Sequence, residues 1–343
     1  MRSDRSKAAA VAAVVGVLLQ FAALLAHAQG ARLKFGTIAP RGSIYHQALL
    51  EAGDAWKRGE APGATFTVYT DGSQGGEADL VRRMRIGQLN GALMSVVGLG
   101  EIDPGATALQ KMPLMFRSWE EVDAAGQRVR PLLEKRLLER GFVVLLWAEG
   151  GWVRFFSRER ALRPADFKRL KMFAWSGDPE QVSLMKAIGY QPVVLETADI
   201  LPGLQTGLIN AVPVTAMWAL ATQIDATAQH MLDLHWVPIV GGAVITRSAW
   251  ESLSPSGREA MQRGAAKAAA ELRARRVSAD FDAVEAMRKR GLQVHSPTPE
   301  QQAEWRQLAE TVYPKIRGST VPADMFDAVQ SALADYRGAE VRR

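Results

Sequence analysis

The chain has 343 residues, 48% hydrophobic and 23% charged, with a formal net charge of +6, no cysteine and five histidines. The lack of cysteine excludes disulfides, thiolate metal sites, thiol catalysis and a lipoprotein anchor together, and a modest, scattered positive charge gives no patch for nucleic acid. The histidines beyond residue 28 are His46, His230, His235 and His295, and the spacing of five between His230 and His235 does not put both on one helix face, so neither a metal site nor any other cofactor is expected.

Arg2, Arg5 and Lys7 precede an apolar run from Ala8 to Ala26 and then Ala26-His27-Ala28, the charged, apolar, small-x-small order of a secretory signal cleaved after Ala28. A retained anchor is the alternative reading of the same segment. Even without residues 1–28 the chain exceeds the usual size of a single core, which argues for two lobes.

Leu33 to Ile38 reads as a strand, followed by a helix over Gly42–Arg58 with Ile44, Ala48, Leu49, Ala52 and Trp56 at helical spacing. Phe66 to Tyr69 alternates as a strand. Asp71 to Gly76 is a turn rich in glycine, then come a helix over Glu77–Ile86 and a small-residue strand over Gly91–Val97. After a helix over Trp119–Arg140, strands are expected at Phe142–Ala148 and Val153–Ser157, separated by Gly150-Gly151-Trp152. A second strand–helix series follows at Lys171–Trp175, Pro179–Ile188, Gln191–Leu195 and Ala198–Gly207. Pro238 to Thr246 is a last apolar strand, and helices fill Gly257–Lys289, Thr298–Ile316 and Ala323–Tyr336, two of them introduced by Ser254-Pro255-Ser256 and Thr298-Pro299-Glu300. The long stretch from Gly257 holds no clean heptad and reads as one helix lying across two lobes. Alternating strands and helices make the fold α/β with a largely parallel sheet.

Five elements then carry a resemblance. VYTDGSQGGEADLVRRMRIGQLNGALMS, with Gln74, Gly76, Gly87 and Leu89 in register; LQKMPLMF at 109–116; PADFKRLKMFAW at 164–175; LQTGLIN at 204–210; and the opening strand–helix unit occur in order along the chain. Together they resemble the DctP-type solute-binding proteins, receptors of tripartite ATP-independent periplasmic (TRAP) transporters. The resemblance implies a two-lobed periplasmic binding protein fold of type II-like form, with discontinuous domains and a long connecting helix. Lobe I is expected over 29–150 plus 239–278, and lobe II over 151–238 plus 279–343, with the ligand between them. It also implies that the protein is not an enzyme. It would be an exported receptor that closes around a solute and hands it to small and large membrane subunits. A periplasmic sensory or interaction module that keeps the fold without transport is the alternative, and neighbouring genes for the two membrane subunits would separate them.

Departures from the family pattern direct the ligand reading. The family's segment reads P-x-D-L-K-G-L-K-I-R-V, and its arginine holds a substrate carboxylate as a bidentate pair, a geometry a phenyl ring cannot supply. Here that position is Phe173. The family's aspartate in v-D-g is Asn210, and the positions after it include Val214. The strand end that in acid-binding members can carry charged pocket residues reads Ser95-Val96-Val97-Gly98. The family's Gly-x-Arg element becomes Gly151-Trp152-Val153-Arg154, which leaves Arg154, one residue out of register, as either an anion anchor or a member of a surface or inter-lobe ion pair. Trp152, Trp175 and Trp218 are expected to supply apolar walls, two of the three in the cleft, whereas Trp56, Trp119, Trp250 and Trp305 are assigned to packing. The expected ligand is hydrophobic or amphipathic, with any polar or anionic end near Arg154, Gln74 or Ser95.

Overall fold

The computed structural model describes residues 31–340 and Arg342, so the signal segment at 1–28 lies outside the described residues. The chain opens with β1 (Arg32–Thr37), α1 (Ile44–Gly59), β2 (Thr65–Tyr69), α2 (Glu77–Arg85), β3 (Gly91–Ser95) and α3 (Val96–Ile102). The predicted strand at 91–97 stops at Ser95, because the Ser95 hydroxyl accepts the Val97 N–H and starts α3. A short 3₁₀ segment, Pro104–Leu109, leads to α4 (Trp119–Glu139) and β4 (Phe142–Ser157). Then follow α5 (Pro164–Phe167), β5 (Lys171–Trp175), α6 (Pro179–Ala187), β6 (Gln191–Leu195), α7 (Ile200–Thr206), β7 (Ala211–Thr215), α8 (Ala216–Ala221) and β8 (His230–Leu232). The chain ends with β9 (Pro238–Thr246), α9 (Arg247–Ser252), α10 (Pro255–Arg288), β10 (Gln293–His295), α11 (Pro299–Ile316) and α12 (Ala323–Glu340).

The strands run in the order β2-β1-β3-β9-β4-β7-β5-β6, with β8 beside β4 and β10 beside β8. β1 is parallel to β2 and β3, and β5 is parallel to β6 and β7. The two halves meet in β4. Two strands were expected on either side of Gly150-Gly151, but the chain forms one strand of 16 residues. Its first half pairs antiparallel with β9, and its second half pairs with β7 and β8. The sharp backbone change that glycines permit is still present: Gly151 has φ +98, within the register shift between Glu149 and Trp152.

Each lobe packs helices on both faces of its sheet, as parallel strands require. In lobe I, α1 and the first half of α10 cover one face through Leu49, Trp56, Met261 and Leu272, while α3, α4 and α12 cover the other through Leu99, Val129, Phe326 and Leu333. In lobe II, Phe156, Phe173, Ile200 and Met231 pack with Ala283, Val284 and Met287 of α10, and Phe155, Phe167 and Met172 pack with Trp305 of α11 on the opposite face. Helix α10, 34 residues long, therefore spans both lobes as expected.

The C-terminus requires a correction to the expected lobe boundaries. Residues 279–343 do not all belong to lobe II: Val312 and Ile316 of α11 and the Phe326–Val329–Leu333 stripe of α12 join the lobe I core. The stripe recurs at helical spacing and closes over Val129 and Leu133 of α4, each fully buried side chain contributing about 1.5–3 kcal/mol. Among the described residues no helix is long and apolar enough to cross a membrane.

Candidate functional site

Parallel sheets bind ligands beyond the carboxyl ends of their strands. Here those ends face each other. Ser95 at the end of β3 is opposite Gly241, which is opposite Ala148 of β4, while Thr215 at the end of β7 is opposite Val153 of β4. Residues Glu149–Trp152 thus lie between the two sets of strand ends, the floor of the cleft that the family resemblance implies.

The lobe II wall is apolar. Alternation along β5 sends Met172 and Ala174 to one face and Phe173 and Trp175 to the other. Phe173 is 6% exposed and packs in one cluster with Trp175, Val193, Leu195, Val214, Met217 and Trp218, which are partly exposed. Trp218 lies in the first turn of α8, whose start is capped by the Thr215 hydroxyl, and its indole N–H is buried without an acceptor. Val214 is the cross-strand partner of Arg154, so the apolar cluster borders a guanidinium on the same face of the sheet.

The lobe I wall is polar and already satisfied. Glu77, the first residue of α2 and 2% exposed, accepts the Ser95 N–H and the Ser95 hydroxyl, both at 2.7 Å, and the Gly98 N–H at 2.8 Å. Burial pushes its carboxyl above the usual range against these three donors. A side chain at Gly98 would place its Cβ 2.8 Å from the Glu77 Cβ, so the glycine is what lets the carboxylate seat there. Gln74 belongs to the turn beside it, and its main-chain carbonyl accepts from Arg83 Nε at 2.8 Å.

Below the cleft runs a buried charged seam. Arg154, 6% exposed, places Nε 2.6 Å from Asp233 and Nη1 2.8 Å from Asp280 of α10, with Nη2 3.1 Å from His235 Nε2. Burial opposes the Arg154 charge, and the combined attraction of the two carboxylates more than offsets it. Burial, together with the adjacent guanidinium, pushes His235 down to about 4. His235 stacks flat on Trp152 with ring centres 4.9 Å apart, Trp152 packs on Trp119 at 4.9 Å, and Arg276 of α10 lies over Trp119 at 4.8 Å. Arg130 binds Glu149 at 2.6 Å, and Arg276 binds Asp123. At the flank of the cleft, Lys111 of lobe I reaches Asp178 of lobe II at 2.8 Å.

Two surface grooves of about 450 and 340 Å³ lie elsewhere, between α1 and α10 and beside α11, and neither includes a residue of the cleft walls. Among the described residues no three histidine, aspartate or glutamate side chains converge to hold a metal ion.

The family described as bacterial extracellular solute-binding protein, family 7 (DctP), matches residues 35–319. The chain belongs to this family. Relatives of the family 7 chain include a solute-binding protein of Roseobacter denitrificans, 24% identical over 75% of this chain and 78% of that one. The 2,3-diketo-L-gulonate-binding periplasmic protein of Escherichia coli is 24% identical over 69% and 72% of the two chains. Similar solved structures include a TRAP periplasmic solute-binding protein of Shewanella oneidensis with bound succinate, with a TM-score of 0.79 and 17% identity over 88% of this chain and 99% of that one. The Bordetella pertussis receptor DctP6, which binds pyroglutamic acid, gives a TM-score of 0.80 and 17% identity over 89% and 100%.

Within this family 7 chain, the structure brings Phe173, Trp175, Val214 and Trp218 into one cluster and puts Ser95 and Gln74 on the facing lobe. It gives three of the predicted residues other settings. Arg154 lies between two carboxylates of its own lobe, Asp233 and Asp280, so the pairing is not inter-lobe, and its buried Nη1 makes no hydrogen bond of good geometry. Trp152 is sandwiched in the seam. Asn210 stands at the wrong end of β7: its N–H donates to Lys171 O and its carbonyl accepts from Arg158, about 16 Å of extended chain from Thr215. Trp56, Trp119 and Trp305 are buried in cores as expected. Sequence reasoning passed over Glu77, Asp233, His235 and Asp280. Asp280 had a signal: with Arg276, Ala283, Val284 and Met287 it occupies the buried face of α10, where an acid needs a partner.

Proposed function

We propose that the protein is the exported solute receptor of a TRAP transporter, that it captures a small hydrophobic or amphipathic molecule by closing its two lobes, and that it delivers this solute to small and large membrane subunits. The observation that carries the ligand reading is the lobe II wall, where Phe173 stands in the place of the family's arginine and packs with Trp175, Val214 and Trp218. A carboxylate buried against that wall without a cation would lose on the order of 3–5 kcal/mol relative to a paired one. Arg154 does not make up the difference, since Asp233 and Asp280 already hold it. The structurally similar receptors that bind succinate and pyroglutamic acid take small acids, so this chain is proposed to differ from them in ligand chemistry and to share their architecture. The proposed contacts are Phe173, Trp175, Val214 and Trp218 on one side and Gln74 and Ser95 on the other.

Native mass spectrometry of protein purified from the periplasm, followed by calorimetry, tests the reading. The expected outcome is a co-purified apolar or amphipathic molecule that displaces and rebinds, with no heat from succinate or galacturonate. Tight binding of such an acid that survives Phe173→Ala would overturn it. N-terminal sequencing of the same preparation should begin at Gln29.

A further inference from the structure

On one flank of the cleft the lobes meet in a charged contact. Lys111 of lobe I places Nζ 2.8 Å from Asp178 Oδ1 and 3.3 Å from Glu180 Oε2 of lobe II. The Lys111 and Asp178 side chains are 13% and 8% exposed, whereas Glu180 stands in solvent at 56%. Among the described residues no other ion pair joins residues 29–150 to residues 151–238. A pair so far withdrawn from water is screened little by salt, and losing one partner leaves the other poorly solvated.

The lobe II partner is one turn away from the apolar wall. Trp175 ends β5, and its carbonyl accepts the Asp178 N–H at 3.1 Å, closing a turn through Ser176 and Gly177. A Cβ on Gly177 would stand 2.6 Å from the Trp175 ring, so the indole lies directly on this turn. Asp178 Oδ1 also accepts the Gln181 N–H at 3.1 Å and caps α6. Trp175, the turn and the start of α6 thus form one short connected unit that ends in the carboxylate.

The lobe I partner has an equally firm base. The Lys111 N–H donates to Thr107 O at 2.8 Å in the 3₁₀ segment. Gln110 Oε1 accepts the Val240 N–H of β9 at 3.0 Å, and Met112 is buried in the lobe I core. Leu114, at φ +51, donates its N–H to Trp236 O at 2.8 Å. A lysine held on both sides spends its remaining freedom only in its own stem.

We propose that Lys111 is a closure latch. It grips Asp178 when the lobes are together, and a solute that settles Trp175 in its place on the Gly177 turn favours that closed form. The proposal rests on the reading above that the lobes close around solute, and it adds the residues that link solute contact to closure.

The experiment reads the distance between the lobes. Arg41 beyond β1 and Ala198 beyond β6 are exposed at facing strand ends, and a chain without cysteine takes spin labels only at Arg41→Cys and Ala198→Cys. Pulsed dipolar spectroscopy of the full exported protein with this pair should resolve a short, closed distance. Lys111→Met, which removes the ammonium and keeps the stem, should move the ratio of short to long distances roughly tenfold toward long ones. Asp178→Asn, which keeps the helix cap, should move it less because Glu180 remains, and Glu180→Gln least. Gly177→Ala, which crowds the indole, should shift it in the same direction. Unchanged proportions in Lys111→Met and Asp178→Asn, or a long distance alone in the unaltered protein, overturn the latch and leave closure standing; Asp178→Asn decides alone if Lys111→Met does not fold. A response to Lys111→Met with none to Gly177→Ala overturns the link to the wall. One fixed short distance in every version overturns closure and latch together.

Discussion

The lobe II wall and the seam beneath it are neighbours built from opposite materials. The wall is made of Phe173, Trp175, Val214 and Trp218, with no charge among them. The seam, reached by moving one residue from Val214 across to Arg154 on the paired strand, holds an arginine, two aspartates and a histidine within hydrogen-bonding range. Both lie on one face of the same pair of strands, because Arg154 and Val214 are cross-strand partners and such side chains stand side by side. The contrast separates two tasks: apolar surface at the wall can accept solutes of varied shape, whereas directional ion pairs at the seam fix how β4, α10 and the 233–237 segment meet.

Changes in the seam should therefore affect stability and leave the affinity for a neutral apolar probe nearly unaltered. Arg154→Ala is the largest, since it leaves Asp233 and Asp280 without their cation, and a loss of about 3–5 kcal/mol is expected from urea unfolding. A loss under about 1 kcal/mol would mean that the seam is not an ion-paired core. Acidity tests it next. His235 is pushed down to about 4 in the folded protein and lies near 6.5 when unfolded, so the unfolded chain takes up the proton first. Its contribution is present above pH 6.5 and is lost as the pH falls toward 4, by up to about 3 kcal/mol. Asp280 and Glu77 act in the opposite sense, because burial raises both carboxyls and acidification relieves them. His235→Asn isolates the histidine: the gap between the unaltered protein and this variant should close or reverse between pH 7 and 4.5, and a constant gap would remove His235 from the account. Smallest is Gly151→Ala, at about 1–2 kcal/mol, from its positive φ and the tight approach to Asp280 and Thr215. No change in melting temperature there would show that the floor can relax.

Much of this was legible in the residues. Period-3.6 and period-2 patterns gave most helices and strands within a residue or two, and the PADFKRLKMFAW segment grouped Phe173 with Trp175 correctly because β5 is short and regular. The rest depended on contacts between distant parts of the chain. Asp233, the partner of Arg154, is 79 residues away, and the other partner, Asp280, is on a helix whose pattern says only that this face is buried. Asn210 was misplaced because a motif gives order along the chain and not which end of a strand a residue occupies. The affiliation of α12 was hidden for a similar reason, since an apolar stripe does not name the core it joins.

The unbroken course of β4 bears on how the protein can be taken apart. One strand lends its first half to one sheet and its second half to the other, and α10 and the chain's return in α12 tie the same two bodies again. A fragment ending at Gly150 would keep its own half-strand but lack β9, its neighbour in the sheet, and a fragment beginning at Gly151 would carry β9 and α12 without the surfaces they cover. Neither piece carries a complete sheet and core of its own, and a single unfolding transition shared by the two lobes is the expected outcome of calorimetry.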